Sequence, residues 1–149
     1  MAGHFTDDYL LYLLAQASAA ASHQFHAELA ARNIAVSTWR ILASLYPDRA
    51  LSIGELASEC IFVQPTLTRM VDRLEASGEV MRSSGGDDRR RVQVRLTASG
   101  QALAAQLVAE AKAHERRICG SYSSREIEIL KDTLKNLRQR ARDIHQGEH

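Results

Sequence analysis

Apolar residues recur at helical spacing over three long stretches of the chain. Residues 7–32 carry a stripe at steps of three or four, formed by Leu10, Leu14, Ala17, Ala21, Phe25 and Leu29. A helix that begins at Thr97 and continues to about residue 118 has a predicted buried side of Leu103, Leu107, Ala111 and Ile118. Residues 124–145 follow a heptad-like pattern, with Ile127, Leu130, Leu134, Leu137, Ala141 and Ile144. The pattern predicts long amphipathic helices on both sides of a different central segment.

The central segment begins with a short helix that has a clear start signal. Ser52 and Glu55 have the spacing of a capping box, and Leu51 and Leu56 have that of a hydrophobic staple. Its apolar face consists of Ile53, Leu56, Ala57 and Cys60. The following apolar residues, Ile61, Phe62 and Val63, are expected to fill the angle between this helix and the next.

A second helix is predicted over residues 64–77. Pro65 suits its first turn, and Gly78 suits the left-handed position just past its end. One face is apolar and consists of Leu67, Met70, Val71 and Leu74. The opposite face and its flanks are polar and include Pro65, Thr66, Thr68, Arg69, Asp72 and Arg73.

A two-stranded hairpin follows the second helix. Residues 80–83 form the first strand, Gly85 and Gly86 supply the turn, and Val92, Val94 and Leu96 alternate with polar residues as one buried face. Three arginines, Arg89, Arg90 and Arg91, lie near the hairpin tip. An isolated hairpin of this length is marginal, so it must pack on the two preceding helices.

This order of elements is that of a winged helix-turn-helix and indicates double-stranded DNA as the partner. A recognition helix reaches base edges with its N-terminal end, here Gln64, Pro65 and Thr66. Glutamine and arginine can make bidentate contacts to bases, and arginines on a wing suit phosphate or the minor groove. Taken alone, the polar face could be an ordinary solvated surface and the arginines a solvated charge run.

Composition is that of a globular protein, and the charge is unevenly placed. The 149 residues are 45% hydrophobic and 25% charged, with a net charge of +1. Residues 64–95 contain seven arginines against five acidic residues, and this local basic patch matters more than the total. No apolar run is long enough for a bilayer and no signal-peptide pattern is present, so we expect a cytoplasmic protein without a membrane partner.

Four motifs in this order resemble the MarR family of bacterial transcriptional regulators. They are residues 51–57 (LSIGELA), 64–75 (QPTLTRMVDRLE), 88–90 (DRR) and 96–100 (LTASG). The resemblance implies a homodimer that binds a pseudo-palindromic operator. It implies base reading by Gln64, Pro65, Thr66, Thr68 and Arg69. It also places Arg89, Arg90 and Arg91 on the wing, with Asp88 orienting those arginines.

The expected fold is therefore mainly α with a small β-hairpin, a winged helix-turn-helix plus a helical dimerisation region. We assign residues 37–97 to the DNA-binding domain, with Arg73 as a further DNA contact, and residues 1–36 and 98–149 to dimerisation. The long terminal helices cannot bury their apolar stripes well alone, which favours a two-fold dimer over packing within one subunit.

The sequence also contains candidate residues for binding a small-molecule effector. Members of the family that the chain resembles bind small, often aromatic or anionic molecules near the first two long helices. Here an aromatic plane, a cation and two imidazoles could hold an aromatic carboxylate: Trp39, Arg40, His23 and His26. Each of these residues could instead serve the core, an ion pair or solvent.

Other functions are alternatives to a ligand-released repressor. Cys60 and Cys119 leave a redox-sensing regulator open, although a buried cysteine is usually inert and no zinc-binding spacing is present. A winged domain could also bind protein. The six scattered histidines form no catalytic pattern and the glycines no phosphate loop, so neither an enzyme nor a cofactor is expected.

Overall fold

The computed structural model describes residues 3–85 and 88–147, and for residues 85 and 88–90 it describes the backbone alone. The elements, in chain order, are α1 (Phe5–Asp8), α2 (Leu10–Ala31), α3 (Val36–Leu45), β1 (Leu51–Ser52), α4 (Ile53–Cys60), α5 (Gln64–Ser77), β2 (Val80–Gly85), β3 (Asp88–Leu96), α6 (Ala98–Ile118) and α7 (Ser124–Gly147). The chain divides into two compact units, Met1–Lys112 and Ala113–His149. A mainly helical winged helix-turn-helix fold is confirmed.

The first unit holds the winged part and a continuous hydrophobic core. Every element from α2 to α6 contributes to it, and its largest fully buried side chains include Leu29, Ile41, Leu42, Leu56, Leu67, Val71, Val80, Val94 and Leu107. The predicted apolar faces of α4 and α5 both point into this core. The central segment therefore folds around a core that its own sequence pattern indicates.

The two helices of the helix-turn-helix begin and end as their local sequence predicts. The Ser52 hydroxyl accepts a hydrogen bond from the Glu55 amide at 3.2 Å, and the Glu55 carboxylate accepts one from the Ser52 amide at 2.8 Å. Pro65 lies in the first turn of α5, and Gly78 ends that helix with a left-handed φ of 92°. Both capping predictions are confirmed.

The sheet has a third strand that the sequence pattern did not indicate. The strand order is β1-β3-β2, with both pairs antiparallel, and Leu51 pairs with Val94. A strand of two residues carries too little alternation to be recognised in sequence. By joining β3 to the start of α4, it ties the wing to the helix-turn-helix.

The wing is longer than predicted and less buried at its outer end. Strand β3 begins at Asp88, four residues before the alternating pattern starts, and Gly85 pairs with Asp88. Val94 and Leu96 are buried as expected, but Val92 is 46% exposed. The prediction for Val92 was wrong, and the pairing of β3 differs at this end: Val94 lies between β1 and β2, whereas Val92 pairs with β2 and β1 does not reach it.

The start of α6 is locked to the end of α5 by unusually close backbone approach. A Cβ atom added at Gly100 would lie 1.8 Å from the carbonyl oxygen of Glu79, so only glycine fits there. The hydroxyls of Thr97 and Ser99 both donate hydrogen bonds to the carbonyl oxygen of Gly78. This packing explains physically why the LTASG run follows the wing.

The flanking helices are less buried than their apolar stripes suggest. The first predicted helix is divided at Tyr9, whose backbone is extended, and only Phe25 and Leu29 of α2 are buried. Ile118, predicted to be buried on α6, is exposed. In α7, which is described over its full length, a Ser123–Glu126 capping box forms as predicted, but none of the residues is buried.

Candidate nucleic-acid interface

The N-terminal turn of α5 presents an exposed tip. Gln64 and Pro65 are exposed, and Thr66 is half-buried. The side chain of Gln64 folds back over the first turn of α4, since a Cβ atom at Gly54 would lie 3.1 Å from Gln64 Nε2. Gly54 therefore leaves room for this glutamine, a role that its place inside a helix did not reveal.

Further along α5, the predicted DNA-contacting residues remain on the outer surface. The Thr68 hydroxyl donates a hydrogen bond to the Gln64 carbonyl at 2.9 Å, and its oxygen can still accept one. Arg69 and Arg73 are exposed. The helix thus carries polar and cationic groups from its tip to its middle, while Leu67, Val71 and Leu74 hold its other face in the core.

The wing places its basic residues on β3. Arg91 is exposed on this strand. The backbone of Arg89 and Arg90 belongs to the same strand, but their side chains and that of Asp88 lie outside the described residues, as does Gly86 of the predicted turn. The assignment of Asp88 as the orienting residue stays a prediction.

An ion-pair cluster joins the wing to the candidate recognition helix. Arg82 of β2 contacts Asp72 of α5 at 2.6 Å and also pairs with Glu75. Burial disfavours the charged guanidinium, but its hydrogen bonds to Asp72 and Glu75 raise the pKa of Arg82 above its ordinary value. Arg82 offsets part of the negative charge of these two carboxylates beside the exposed face of α5. Sequence reasoning missed the cluster because the partners lie seven and ten residues apart in different elements.

The turn before α5 departs from its prediction. Phe62 packs against the core, but Ile61 and Val63 are 79% and 69% exposed. The expectation that all three residues fill the interhelical angle was therefore wrong for Ile61 and Val63. A turn reverses the chain within a few residues, so consecutive side chains cannot all point inward.

The candidate effector residues lie on neighbouring helices of the first unit. Trp39 of α3 makes an edge contact with the buried Phe25 of α2, with ring centroids 5.3 Å apart. The Arg40 guanidinium carbon lies 5.6 Å from the centre of the Phe62 ring. His23 is exposed and His26 half-buried on α2. Trp39 thus contributes to the core, and Arg40 contacts the turn that precedes α5.

The two cysteines have different surroundings. Cys60 is buried, its Sγ lies 3.5 Å from Ser44 Oγ, and burial raises the pKa of its thiol. Since the thiolate is the reactive form, this environment weighs against oxidation of Cys60. Cys119 is half-buried in the second unit, where it lines a cleft of about 370 Å³ with Tyr122 and Ile127.

Neither a metal-ligand cluster nor a membrane-spanning helix is found among the described residues. Within residues 3–85 and 88–147, three or more histidine, cysteine, aspartate or glutamate side chains nowhere gather closely enough to hold a metal ion. None of the helices in those same residues has the length and hydrophobicity that a membrane crossing requires.

Comparison with known proteins places the chain in a family. The MarR family model matches residues 34–92, which include α3, β1, α4, α5 and most of the wing. The chain is 32% identical over 124 residues to the HTH-type transcriptional regulator FarR of Neisseria gonorrhoeae, covering 83% of this chain and 85% of FarR. It is 28% identical to the homoprotocatechuate degradative operon repressor of Escherichia coli, over 85% of this chain and 86% of that protein.

Solved structures agree with the sequence relatives. A MarR family transcriptional regulator from Silicibacter pomeroyi DSS-3 is 41% identical and superimposes with a TM-score of 0.79, covering 91% of this chain and 99% of that one. NadR in complex with 4-hydroxyphenylacetate is 31% identical with a TM-score of 0.81, over 92% of this chain and 97% of NadR. The winged fold, the exposed tip of α5 and these relatives together identify the chain as a member of the MarR family of DNA-binding transcriptional regulators.

Proposed function

We propose that this regulator is a homodimeric repressor that binds a pseudo-palindromic operator and releases it when an aromatic acid binds. The observation that carries the proposal is the exposed tip of α5, with Arg69 and Arg73 on the same helix and the wing strand beside it. The E. coli relative that acts on a homoprotocatechuate degradative operon is named a repressor, which supports the direction of regulation.

In this proposal α5 enters the major groove and the wing contacts the flanking backbone. Gln64, Pro65, Thr66, Thr68 and Arg69 read base edges, and Arg73 binds phosphate. Arg89, Arg90 and Arg91 bind phosphate or the minor groove from the wing, with Asp88 orienting them. The Arg82 cluster holds the wing against α5, so both elements dock as one body.

The dimer is supported by apolar residues that the subunit leaves exposed. Residues 1–36 and 98–149 are proposed as the dimerisation region. Within it, helix α7 has four exposed large apolar side chains: Ile129, Leu130, Leu134 and Ile144. A two-fold dimer presents two copies of α5, which can enter successive major grooves about 34 Å apart. Release then requires a change in the separation of the two helices.

The effector is proposed to be an aromatic carboxylate held by Trp39 and Arg40, with His23 and His26 nearby on α2. The structural relative NadR, which was solved with 4-hydroxyphenylacetate, supports this ligand class. Arg40 could couple ligand binding to DNA binding, because its guanidinium lies over Phe62 in the turn that precedes α5. A carboxylate that draws Arg40 away from Phe62 would loosen the turn that positions the recognition helix.

Fluorescence anisotropy with a labelled fragment from upstream of the protein's own gene tests DNA binding. Tight, sequence-selective binding is expected, and its affinity should fall steeply with salt because binding to phosphates releases counterions. Replacing Arg89, Arg90 and Arg91 with alanine should lower the slope of log affinity against log salt by about 0.9 for each phosphate that is no longer neutralised. Arg125→Ala removes one exposed arginine from the polar side of α7, away from Leu130, and controls for the loss of a positive charge outside the winged part; it should bind as the wild type does. Equal binding to a scrambled fragment would contradict an operator-binding function.

Titration of 4-hydroxyphenylacetate into the same complex tests the effector. Release is expected from the wild type. Arg40→Gln lacks the cation over Phe62, so it should bind DNA more weakly than the wild type and should lose its response to the ligand. Transcription in vitro from the same promoter should fall when the protein is added and recover with the ligand. Stimulated transcription would make the protein an activator.

A further inference from the structure

The turn before α5 carries two exposed residues of a kind that the backbone there disfavours. Ile61 has a left-handed φ of 61°. For an L-residue this conformation brings Cβ too close to the following carbonyl oxygen, and branching at Cβ makes the crowding worse. Glycine or asparagine suits such a position. A β-branched side chain such as isoleucine persists there only when its surroundings or its function favour it.

Val63 is equally ill suited to its local position. It is the N-cap residue of α5, where serine, threonine, aspartate and asparagine are preferred because their oxygen accepts a hydrogen bond from the first helical turn. A valine side chain has no atom that can accept this bond. The chain therefore forgoes helix stability at the start of its recognition helix.

Core packing does not account for either residue. Phe62, between them, packs against the core and contacts Arg40, while Ile61 and Val63 face solvent. We call these two side chains the apolar edge. The edge is continuous with Gln64 and Pro65, the first residues of the tip that is proposed to read bases.

We propose that the apolar edge contacts the 5-methyl groups of thymines in the operator. The inference rests on the proposed function, since it requires α5 to lie in the major groove. On the major-groove edges of the four base pairs, the 5-methyl group of thymine is the apolar feature. An apolar side chain at the edge of this interface therefore favours thymine through contact with its methyl group. A side chain that only forms hydrogen bonds would not detect that group.

Uracil interference provides the test, because uracil differs from thymine only by the absent methyl group. The upstream fragment is synthesised with sparse uracil in place of thymine, the protein selects bound molecules, and the uracil positions depleted from the bound fraction are mapped. Four full-length proteins are compared: the wild type, Val63→Ser, Ile61→Asn and Thr66→Ser. Serine restores an N-cap acceptor and asparagine tolerates a left-handed backbone, so neither variant is expected to unfold.

We expect the wild type to lose about fourfold in affinity for each methyl group removed, the value for taking one buried methyl-sized group from an apolar contact. The interference should disappear at some thymines in Val63→Ser and Ile61→Asn. Thr66→Ser removes the methyl group of Thr66, a polar residue of the α5 tip. The thymines at which interference disappears in Thr66→Ser should differ from those at which it disappears in Val63→Ser and Ile61→Asn. Operators selected from random DNA by Val63→Ser should lack the thymines at which its interference disappears.

Two results would overturn the proposal. The wild type could bind the fragment selectively yet tolerate uracil at every position, which would leave the apolar edge for a protein partner. The variants could also show the same interference pattern as the wild type, so that other residues contact the methyl groups. In either case the binding measured in the same assay still establishes the operator function independently.

Discussion

The winged part and the C-terminal helix satisfy their apolar residues in different ways. In the first unit, every element from α2 to α6 places side chains in one core, and Leu42, Leu56 and Leu67 are fully buried. Helix α7 has an equally regular apolar pattern, yet among its residues, all of which the structure describes, none is buried. Leu130, the second position of its heptad pattern, is 53% exposed.

The apolar faces of α4 and α5 are buried in the core of the first unit, whereas the apolar face of α7 is not buried. Periodicity alone gives both stripes the same signal, because it reports only that a face is apolar. A helix with a long exposed apolar face is typical of an intersubunit contact. The winged part is thus expected to keep its fold as a monomer, whereas α7 depends on the proposed second subunit.

The largest effect on stability is expected from a cavity in the winged core. Leu56→Ala removes most of a fully buried side chain and should lower the free energy of unfolding by about 2–5 kcal/mol, as measured by urea denaturation. Met81→Ala, on the exposed side of β2, is the control and should change it by less than about 0.5 kcal/mol. Similar losses in both variants would mean that the core does not hold the winged part together.

A charge on the exposed stripe of α7 should act on assembly instead. Leu130→Glu is expected to convert the dimer to monomers in sedimentation velocity and to weaken operator binding at least about 100-fold, because two linked half-sites bind far more tightly than one. The circular dichroism of the winged part should persist. Gln139→Lys places a charge on the opposite, polar face beside Asp143 and should leave the dimer intact. A dimeric Leu130→Glu protein would contradict the proposed interface.

Loss of the cluster between the wing and α5 should have an intermediate effect. Arg82→Ala removes the partner of Asp72 and Glu75 and is expected to cost about 1 kcal/mol of stability, since the carboxylates are partly exposed and screened. It should also lower operator affinity, because two unneutralised carboxylates then lie near phosphate. Arg95 of β3 lies in the same sheet as Arg82, and Arg95→Ala, which breaks its looser 3.3 Å pair with Asp48, is the control. Equal affinities for the two variants would argue against a positioning role for Arg82.

Relief of the left-handed backbone at Ile61 should stabilise the winged part slightly. Ile61→Gly is expected to raise the free energy of unfolding by up to about 1 kcal/mol, because glycine adopts this conformation without crowding and little buried apolar surface is removed. Thermal denaturation at constant protein concentration measures the gain. Ile34→Gly, at a half-buried position of ordinary backbone, should instead destabilise.

The smallest effect is a pH dependence at the start of α4. Hydrogen bonds from the Ser52 backbone and then from its side chain lower the pKa of Glu55. A carboxyl group whose pKa is lowered by folding stabilises the protein above its unfolded pKa of about 4.3, and this contribution is lost as the pH falls through the folded value. Between pH 7 and about pH 3, Glu55→Gln should therefore lose less stability than the wild type, by a few tenths of a kcal/mol after solvent screening. If the free energy of unfolding had the same pH dependence in both proteins, the capping box would not contribute to acid sensitivity.

Much of the winged part could be predicted because its signals are local. A capping box such as Ser52–Glu55, a proline in a first helical turn and a glycine in a left-handed C-cap each act within four residues, and the structure confirms them. The contacts that position the wing are not local. Arg82 with Asp72, Thr97 with Gly78, and the two-residue strand β1 join elements that no periodicity connects.

By itself, the sequence determined the helix-turn-helix, its wing and the polar tip of α5, since spacing and turn chemistry specify these elements one at a time. The tertiary structure decided which side chains of the turn face inward, and it buried Phe62 while leaving Ile61 and Val63 exposed. It also decided that Val94 is buried and Val92 is not, and that none of the residues of α7, all of which the structure describes, is buried. The physical reason is that an apolar pattern records a preference for burial, whereas burial itself depends on which other surface is present.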